Sequence, residues 1–401
     1  MKILVCPHDM NLGGSQLNAI ELADKVRALG HEVVIHAPEG VLTDKVRSLG
    51  IPYVSSPVPA NHKEWRKSLG RLLEDTDIDL IHTYEWESTL DASFSPSVRG
   101  RIPLLASVMS MQVPEFLPRH LPLTVGTPAL AAELAWQHRT AFLLEPPVDM
   151  ELNKATDPAA ARAGLGLGDD RIVISIATKL GTELEKLQGV LSAIALVDRM
   201  ADSHPLHLLI AGGGPGLSQV RERARAVNER HQGTVVEVLG YLNDPRPAYE
   251  AADIVLGMGA SAIKAMAFSK ALVVQGEAGF WKTLDEGNAE GFLQRGWFGY
   301  KGQGIADLER ELETLVAQPE LRERLGAFGR TLVEKRYSLD RSAKELVAIY
   351  LDLLAHRGTD TLTARAASLL RSAVEVSRFR TVMKSGALTE REKWSHSGVE
   401  L

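Results

Sequence analysis

The sequence predicts an α/β protein built from two successive doubly wound, Rossmann-like sheets with a helical tail. Three observations carry this reading. Short apolar runs alternate with helical patterns through the first third of the chain. The alternation halts at Glu145-Pro146-Pro147-Val148-Asp149 and then restarts. Glycine turns follow several of the apolar runs. Strands alternating with helices of about 10–15 residues imply parallel pairing. A length of 401 residues exceeds the roughly 250–300 residues at which single cores stop growing.

In chain order, Ile3–Cys6 reads as a strand and Pro7–Gln16 as a loop. A helix follows over Leu17–Leu29, with Leu17, Ile20, Ala23 and Val26 on one face. Gly30 ends it, and Val33–Ala37 is the next strand. Asp79–Thr83, Leu104–Met109, Leu123–Gly126 and Ala141–Leu144 continue the series, with helices at Lys63–Leu73 and Pro128–Trp136. Pro146 and Pro147 forbid helix continuation and stiffen an extended crossing. Beyond them lie strands at Ile172–Ala177, Leu206–Ala211, Val235–Leu239, Ile254–Leu256 and Leu272–Gln275, then helices at Ile305–Val316, Pro319–Lys335 and Ser338–Leu354. The expected domains are 1–148, 149–354 and a tail, 355–401. Within the tail, Leu362, Ala366, Leu369, Leu370, Ala373 and Val374 form an apolar stripe among Arg365, Arg371, Arg378 and Arg380. Such a basic amphipathic helix either lies on an acidic membrane or packs on its own protein. Residues 388–401 read as polar and mobile.

Composition narrows the function classes. A net charge of −6 gives no basic footprint for nucleic acid. The single cysteine, Cys6, excludes an internal disulfide and reads as a buried structural thiol. The first residues enter a strand directly, too briefly for a signal peptide, and no run approaches a membrane span. A cytoplasmic protein, with peripheral membrane contact through the tail, is the expectation.

Several motifs have chemical content. Gly13-Gly14 follows the first strand and opens a helix, a geometry that suits a phosphate or polar sugar as well as a plain turn. It is not GxGxxG. His36 rather than an acid ends the second strand, which argues against a nicotinamide cofactor. Lys179, beyond Ile172–Ala177, and Lys186, near the start of the next helix, are two cations able to neutralise a departing diphosphate. Leu208–Gly216 runs from strand into a glycine-rich turn. His82 shares a loop with Glu85 and Glu87; these suit acceptor hydroxyls, or His82 caps a strand. No metal-ligand cluster is apparent.

The stretch Leu239–Glu277, LGYLNDPRPAYEAADIVLGMGASAIKAMAFSKALVVQGE, is the most informative. Gly257 and Gly259 follow a strand, and Ser261 opens a helical pattern whose N-terminus offers free N–H groups to an anion. This stretch resembles the nucleotide-sugar half of retaining glycosyltransferases with the GT-B fold, family 4 type (group 1). The resemblance covers most of residues 1–354. It implies a nucleotide-sugar donor, UDP- or GDP-linked, bound mainly by the second domain, and a sugar, lipid-linked or small-molecule acceptor held by the first. It implies no cofactor, no metal and no protein nucleophile.

Residue by residue, Lys179 and Lys186 resemble the family's arginine–lysine pair, and Gly257, Met258, Gly259, Ala260 and Ser261 its diphosphate and sugar turn. Gly240, Tyr241 and Leu242 resemble the nucleobase segment, where Tyr241 either stacks or packs. His82 matches one family histidine, and Met109 stands where many members have another, which places His82, Glu85 and Met109 on the acceptor side. Leu256 and Lys264 replace the two glutamates of the motif. A lysine only donates hydrogen bonds and cannot grip ribose hydroxyls as a carboxylate does, so Lys264 is assigned to phosphate. Glu277 and the insertion Gly279–Gly304, with Phe280, Trp281, Trp297, Phe298 and Tyr300, are candidate replacement contacts. A non-catalytic binding protein and other chemistry on this fold, such as sugar-nucleotide epimerisation or non-sugar coupling, remain open.

Overall fold

A computed structural model describes residues 1–58, 61–98, 102–168, 170–356 and 362–385. The mobile segment expected at 388–401 lies outside the described residues. The chain forms two compact units, Met1–Pro147 joined by the residues from Leu339 onward, and Val148–Ser338.

Seven strands form the sheet of the first unit: β1 Lys2–Cys6, β2 Glu32–Ala37, β3 Tyr53–Ser55, β4 Leu80–Tyr84, β5 Leu104–Val108, β6 Leu123–Val125 and β7 Ala141–Leu143. Their spatial order is β3-β2-β1-β4-β5-β6-β7, and every pairing is parallel. Strands buried on both faces must be apolar throughout, and Ile3, Leu4, Val5 and Cys6 are all buried. Burial raises the Cys6 thiol far above its ordinary pKa, as expected of a structural thiol.

The second unit repeats the plan with β8 Ile172–Ala177, β9 Leu206–Ala211, β10 Val236–Gly240, β11 Ile254–Gly257 and β12 Ala271–Glu277. The order is β10-β9-β8-β11-β12, followed by antiparallel β13 Trp281–Thr283; β14 Gly299–Tyr300 pairs with β12. Each unit therefore reverses its winding once, between β1 and β4 and between β8 and β11. Ligands of open α/β sheets bind beyond the strand carboxyl ends at such points.

Three expectations change. Strands β3, β13 and β14, of three, three and two residues, were not read from the sequence. The helix expected to close the second domain, Leu339–Ala355, instead packs on the first unit, where Leu339, Ala343, Leu346, Ile349 and Tyr350 join the core of Ile3, Val5 and Ile20. The tail helix Leu362–Ser385 also packs on the first unit, but not by its apolar stripe. Val376 and Phe379 meet Trp86 and Phe116, and Ser372 donates to the Phe116 carbonyl at 2.6 Å. Leu370 and Val374 stay 70% and 51% exposed.

Tyr350 ties the returning helix to the sheet through a 2.7 Å hydrogen bond to Nδ1 of buried His82. Tyr350→Phe leaves that nitrogen unpaired, and stability should fall by about 1–3 kcal/mol, read as a lowered urea midpoint.

Candidate active site

At the switch point of the first unit, the loop after β1 leads into the helix Gly14–Ala28, capped by Gly13. A Cβ at Gly13 would lie 2.3 Å from Gln16 Oε1, so any other residue there would displace the Gln16 side chain. The Gln16 amide donates to Asp9 Oδ1 at 2.7 Å and lies 3.2 Å from Nε2 of buried His8. This His8–Asp9–Gln16 group was not singled out from sequence, because isolated polar residues in a loop carry no pattern.

Across the switch point, Glu85 follows β4 at φ 66°, ψ 177°, a region almost restricted to glycine and costing about 1–3 kcal/mol for other residues. The carboxyl is buried, and Oε1 accepts the Met109 N–H at 3.1 Å. The structure thus joins two residues predicted for the acceptor side. Burial pushes Glu85 up to about 7. Half-buried Glu87, whose Oε2 has no partner among the described residues, rises to about 8 through burial and then the charges of Glu85, Asp9 and Asp91.

His82 does not join them. It is fully buried, with Nδ1 on Tyr350 Oη and Nε2 on Ser107 Oγ at 2.8 Å. Desolvation lowers it to about 3. With both nitrogens occupied it links sheet to helix and offers an acceptor no free edge.

In the second unit the loops beyond β8, β9 and β10 are stitched together by backbone. Leu180 donates to Gly213, Gly212 to Gly240 and Gly216 to Leu180. A Cβ on Gly212 would meet the Thr178 carbonyl oxygen, so this close approach needs glycine. Exposed Lys179 leaves this platform beside β11, whose Leu256 pairs with Ile176. Lys186 opens the helix Lys186–Met200 and pairs with Glu183 at 3.4 Å.

Gly257 ends β11, and Gly259, at φ 52°, ψ −127°, caps the helix Ala260–Ala267. Ser261 Oγ accepts the Met258 N–H at 3.0 Å and closes on the Met258 carbonyl at 2.9 Å; this hydroxyl holds the turn. The Gly259 N–H is given to the Trp297 carbonyl. Leu256 is fully buried in the core, while half-buried Lys264 helps hold the Asp244 carboxyl below its usual range, after the larger contribution of Arg246.

Tyr241 is 51% exposed beside Gly213, and Gly240, at φ 73°, places it there. Leu242 follows in the same loop, partly buried. Glu277 ends β12 at the same edge. The insertion's aromatics mostly turn inward: Trp281 and Trp297 are buried, Trp297 Nε1 donates to Tyr337 Oη at 2.9 Å, and Phe280 packs on the core. Their apolar area is worth more in the core than as a sugar wall; Tyr300 alone of the large aromatics there stays 44% exposed. Among the described residues no group of three His, Cys, Asp or Glu is placed to hold a metal.

A glycosyl transferase 4-like domain model matches residues 13–163, and a glycosyl transferases group 1 model matches 160–332. The chain is a group 1 glycosyltransferase. No curated protein matches it in sequence. Among solved structures it is similar to Anabaena Alr3699/HepE in complex with UDP and glucose (TM-score 0.70, 15% identity, 88% of this chain and 100% of that one). It is also similar to the catalytic domain of Arabidopsis thaliana starch synthase IV bound to ADP and acarbose (0.65, 14%, 88% and 99%). UDP-GlcNAc 2-epimerase from Neisseria meningitidis shares the architecture too (0.59, 15%, 88% and 100%). These likenesses give the GT-B fold; the family models, not the fold, separate transferase from epimerase.

The raised carboxyls give this glycosyltransferase a pH signature. Folded Glu85 and Glu87 hold protons that the unfolded chain releases near 4.5, so their contribution to stability declines from about that pH until they titrate near 7 and 8. Glu85→Gln and Glu87→Gln should flatten the fall in unfolding free energy between pH 5 and pH 8, each by on the order of a few kcal/mol, read from urea midpoints across that range. Unaltered slopes in both variants would mean ordinary ionisation.

Proposed function

We propose that this glycosyltransferase moves a sugar from a nucleoside diphosphate to an acceptor hydroxyl, with retention and without a metal. The observation that supports it most is the anion geometry at the β8/β11 switch point. A glycine turn delivers the N-terminus of the Ala260–Ala267 helix beside the exit of Lys179. Because Ser261 closes its own turn and the Met258, Gly259 and Ser261 N–H groups are already given within it or to Trp297, the phosphate contacts fall to the remaining N–H groups of this helix end and to Lys179. Both favour charge that grows as the diphosphate departs.

In this reading the anomeric carbon–oxygen bond to the diphosphate breaks while the acceptor oxygen bonds the same face. The acceptor proton passes to the departing phosphate oxygen. Lys186 supports the diphosphate while paired to Glu183. Tyr241 offers an exposed ring for the nucleobase, flanked by Gly240 and Leu242. Glu277, whose carboxylate makes no hydrogen bond or ion pair among the described residues, supplies the ribose carboxylate that Leu256 and Lys264 do not. Glu85, Glu87 and Asp9 accept hydrogen bonds from the acceptor sugar or small molecule. Alr3699/HepE was solved with UDP and glucose, so uridine diphosphate is the first nucleotide to test.

A thermal-shift panel of UDP, GDP, ADP and TDP should stabilise the protein with at least one member; binding of none would sink the transferase reading. For the nucleotide that binds, Lys179→Ala should weaken binding and lower kcat/KM about 100-fold, while an unchanged midpoint removes Lys179 from the site. Tighter binding by Lys264→Glu would show that the lost carboxylate was not replaced, and abolished binding would make Lys264 a phosphate contact.

A further inference from the structure

The amino edge of the first sheet, opposite the edge that carries Gly13, Glu85 and Met109, holds a cluster of arginines that the transferase chemistry does not use. Arg139 precedes β7 and is only 6% exposed. Among the described residues its guanidinium makes one hydrogen bond, to the Pro118 carbonyl at 3.4 Å, and its Nε has no partner. Arg119 follows Pro118, just before β6. Arg371 comes from the tail helix, which is fastened over the same loop by Ser368 on His120, at 3.2 Å from the backbone N–H and 3.0 Å from Nδ1, and by Ser372 on the Phe116 carbonyl.

Burial, then the charges of Arg119 and Arg371, push the Arg139 guanidinium down to about 10; no carboxylate contributes. Arg119 and Arg371 are exposed and form no ion pair among the described residues. A buried guanidinium with an unsatisfied donor, faced by two more cations, is costly unless an anion completes it. Planar guanidinium forks match phosphate oxygens in particular.

The apolar surroundings indicate where that phosphate resides. Trp136, at the end of the Pro128–Trp136 helix and a turn before Arg139, is 83% exposed. Leu370 and Val374, one helical turn apart and flanking Arg371, are also exposed. Exposed tryptophan and aliphatic side chains beside unneutralised arginines match a lipid–water interface, where the apolar groups enter the acyl boundary and the cations meet headgroups. A soluble phosphate ligand gives these three side chains nothing to bury against.

We propose that Arg119, Arg139 and Arg371 form a phosphate site for the headgroups of an anionic lipid surface, with Trp136, Leu370 and Val374 inserting beside them. This docking does not depend on the donor assignment. The full chain should co-sediment with phosphatidylglycerol–phosphatidylcholine vesicles, much less with phosphatidylcholine alone, and should be released by high salt. Arg119→Ser with Arg371→Ser, both at exposed positions, should weaken partitioning about tenfold or more, and Trp136→Ser should also weaken it. The nucleotide-induced thermal shift should stay at its wild-type size in each variant, so that loss of vesicle binding is distinguishable from loss of the donor site. Equal partitioning of the double-arginine variant, or no preference for the anionic vesicles, would overturn the proposal. Inorganic phosphate raising the thermal midpoint through these arginines, without vesicle binding, would assign the site to a soluble phosphate and overturn the lipid assignment.

Discussion

The reversal of winding in a parallel sheet is the constraint on which the rest of this molecule depends. Right-handed crossovers carry the chain outward from a central strand on one side, and it must return to begin the other half. The loops beyond the two central strands then diverge to opposite faces, leaving backbone ends that no neighbour covers. That happens between β1 and β4 and again between β8 and β11. The chemistry-bearing residues Gly13, Glu85, Lys179 and Gly257–Ala260 all sit on loops leaving those four strands. Their positions follow from topology before any side chain is considered.

Within the second unit, the glycines set how closely those loops approach. Gly212 lets the turns beyond β8 and β9 touch, and Gly240 and Gly259 take backbone conformations that side chains resist. Such a platform is rigid by backbone bonding alone. The turn after β11 is held by the Ser261 hydroxyl and by the Gly259 N–H on the Trp297 carbonyl, so neither Leu256 nor Lys264 is needed to form it.

Much of this was legible because it is periodic or conformationally forced. β8 and β9 were bounded to the residue from their apolar runs, and the Pro146-Pro147 crossing falls at the division between units. What could not be read was which distant segment covers which face. His82 looked like a site residue because it matches a family histidine and stands close to Glu85 and Glu87; the structure puts it within β4, where Ser107 and the returning Tyr350 occupy its two nitrogens. Likewise Trp281 and Trp297 carry no sequence sign of facing inward, and the strain at Glu85 has no signature in a glutamate's identity. The carboxyl pair stood out as residue types, whereas its partner loop, His8 to Gln16, required the fold.

The return of the Leu339–Ala355 helix has a consequence for how the chain is made. Val148 and Ser338 are bridged in parallel, and the Val148 N–H donates to the Tyr337 carbonyl at 2.8 Å, so the second unit begins and ends at one place. It is an insertion in a first unit whose core is completed by Leu339, Leu346 and Tyr350. During synthesis the first 147 residues emerge lacking that helix, and the second unit, contiguous in sequence, has all its parts before they do. Domains generally fold as units as they emerge; here the domain synthesised second is the first to be complete, and the domain that begins the chain is finished last.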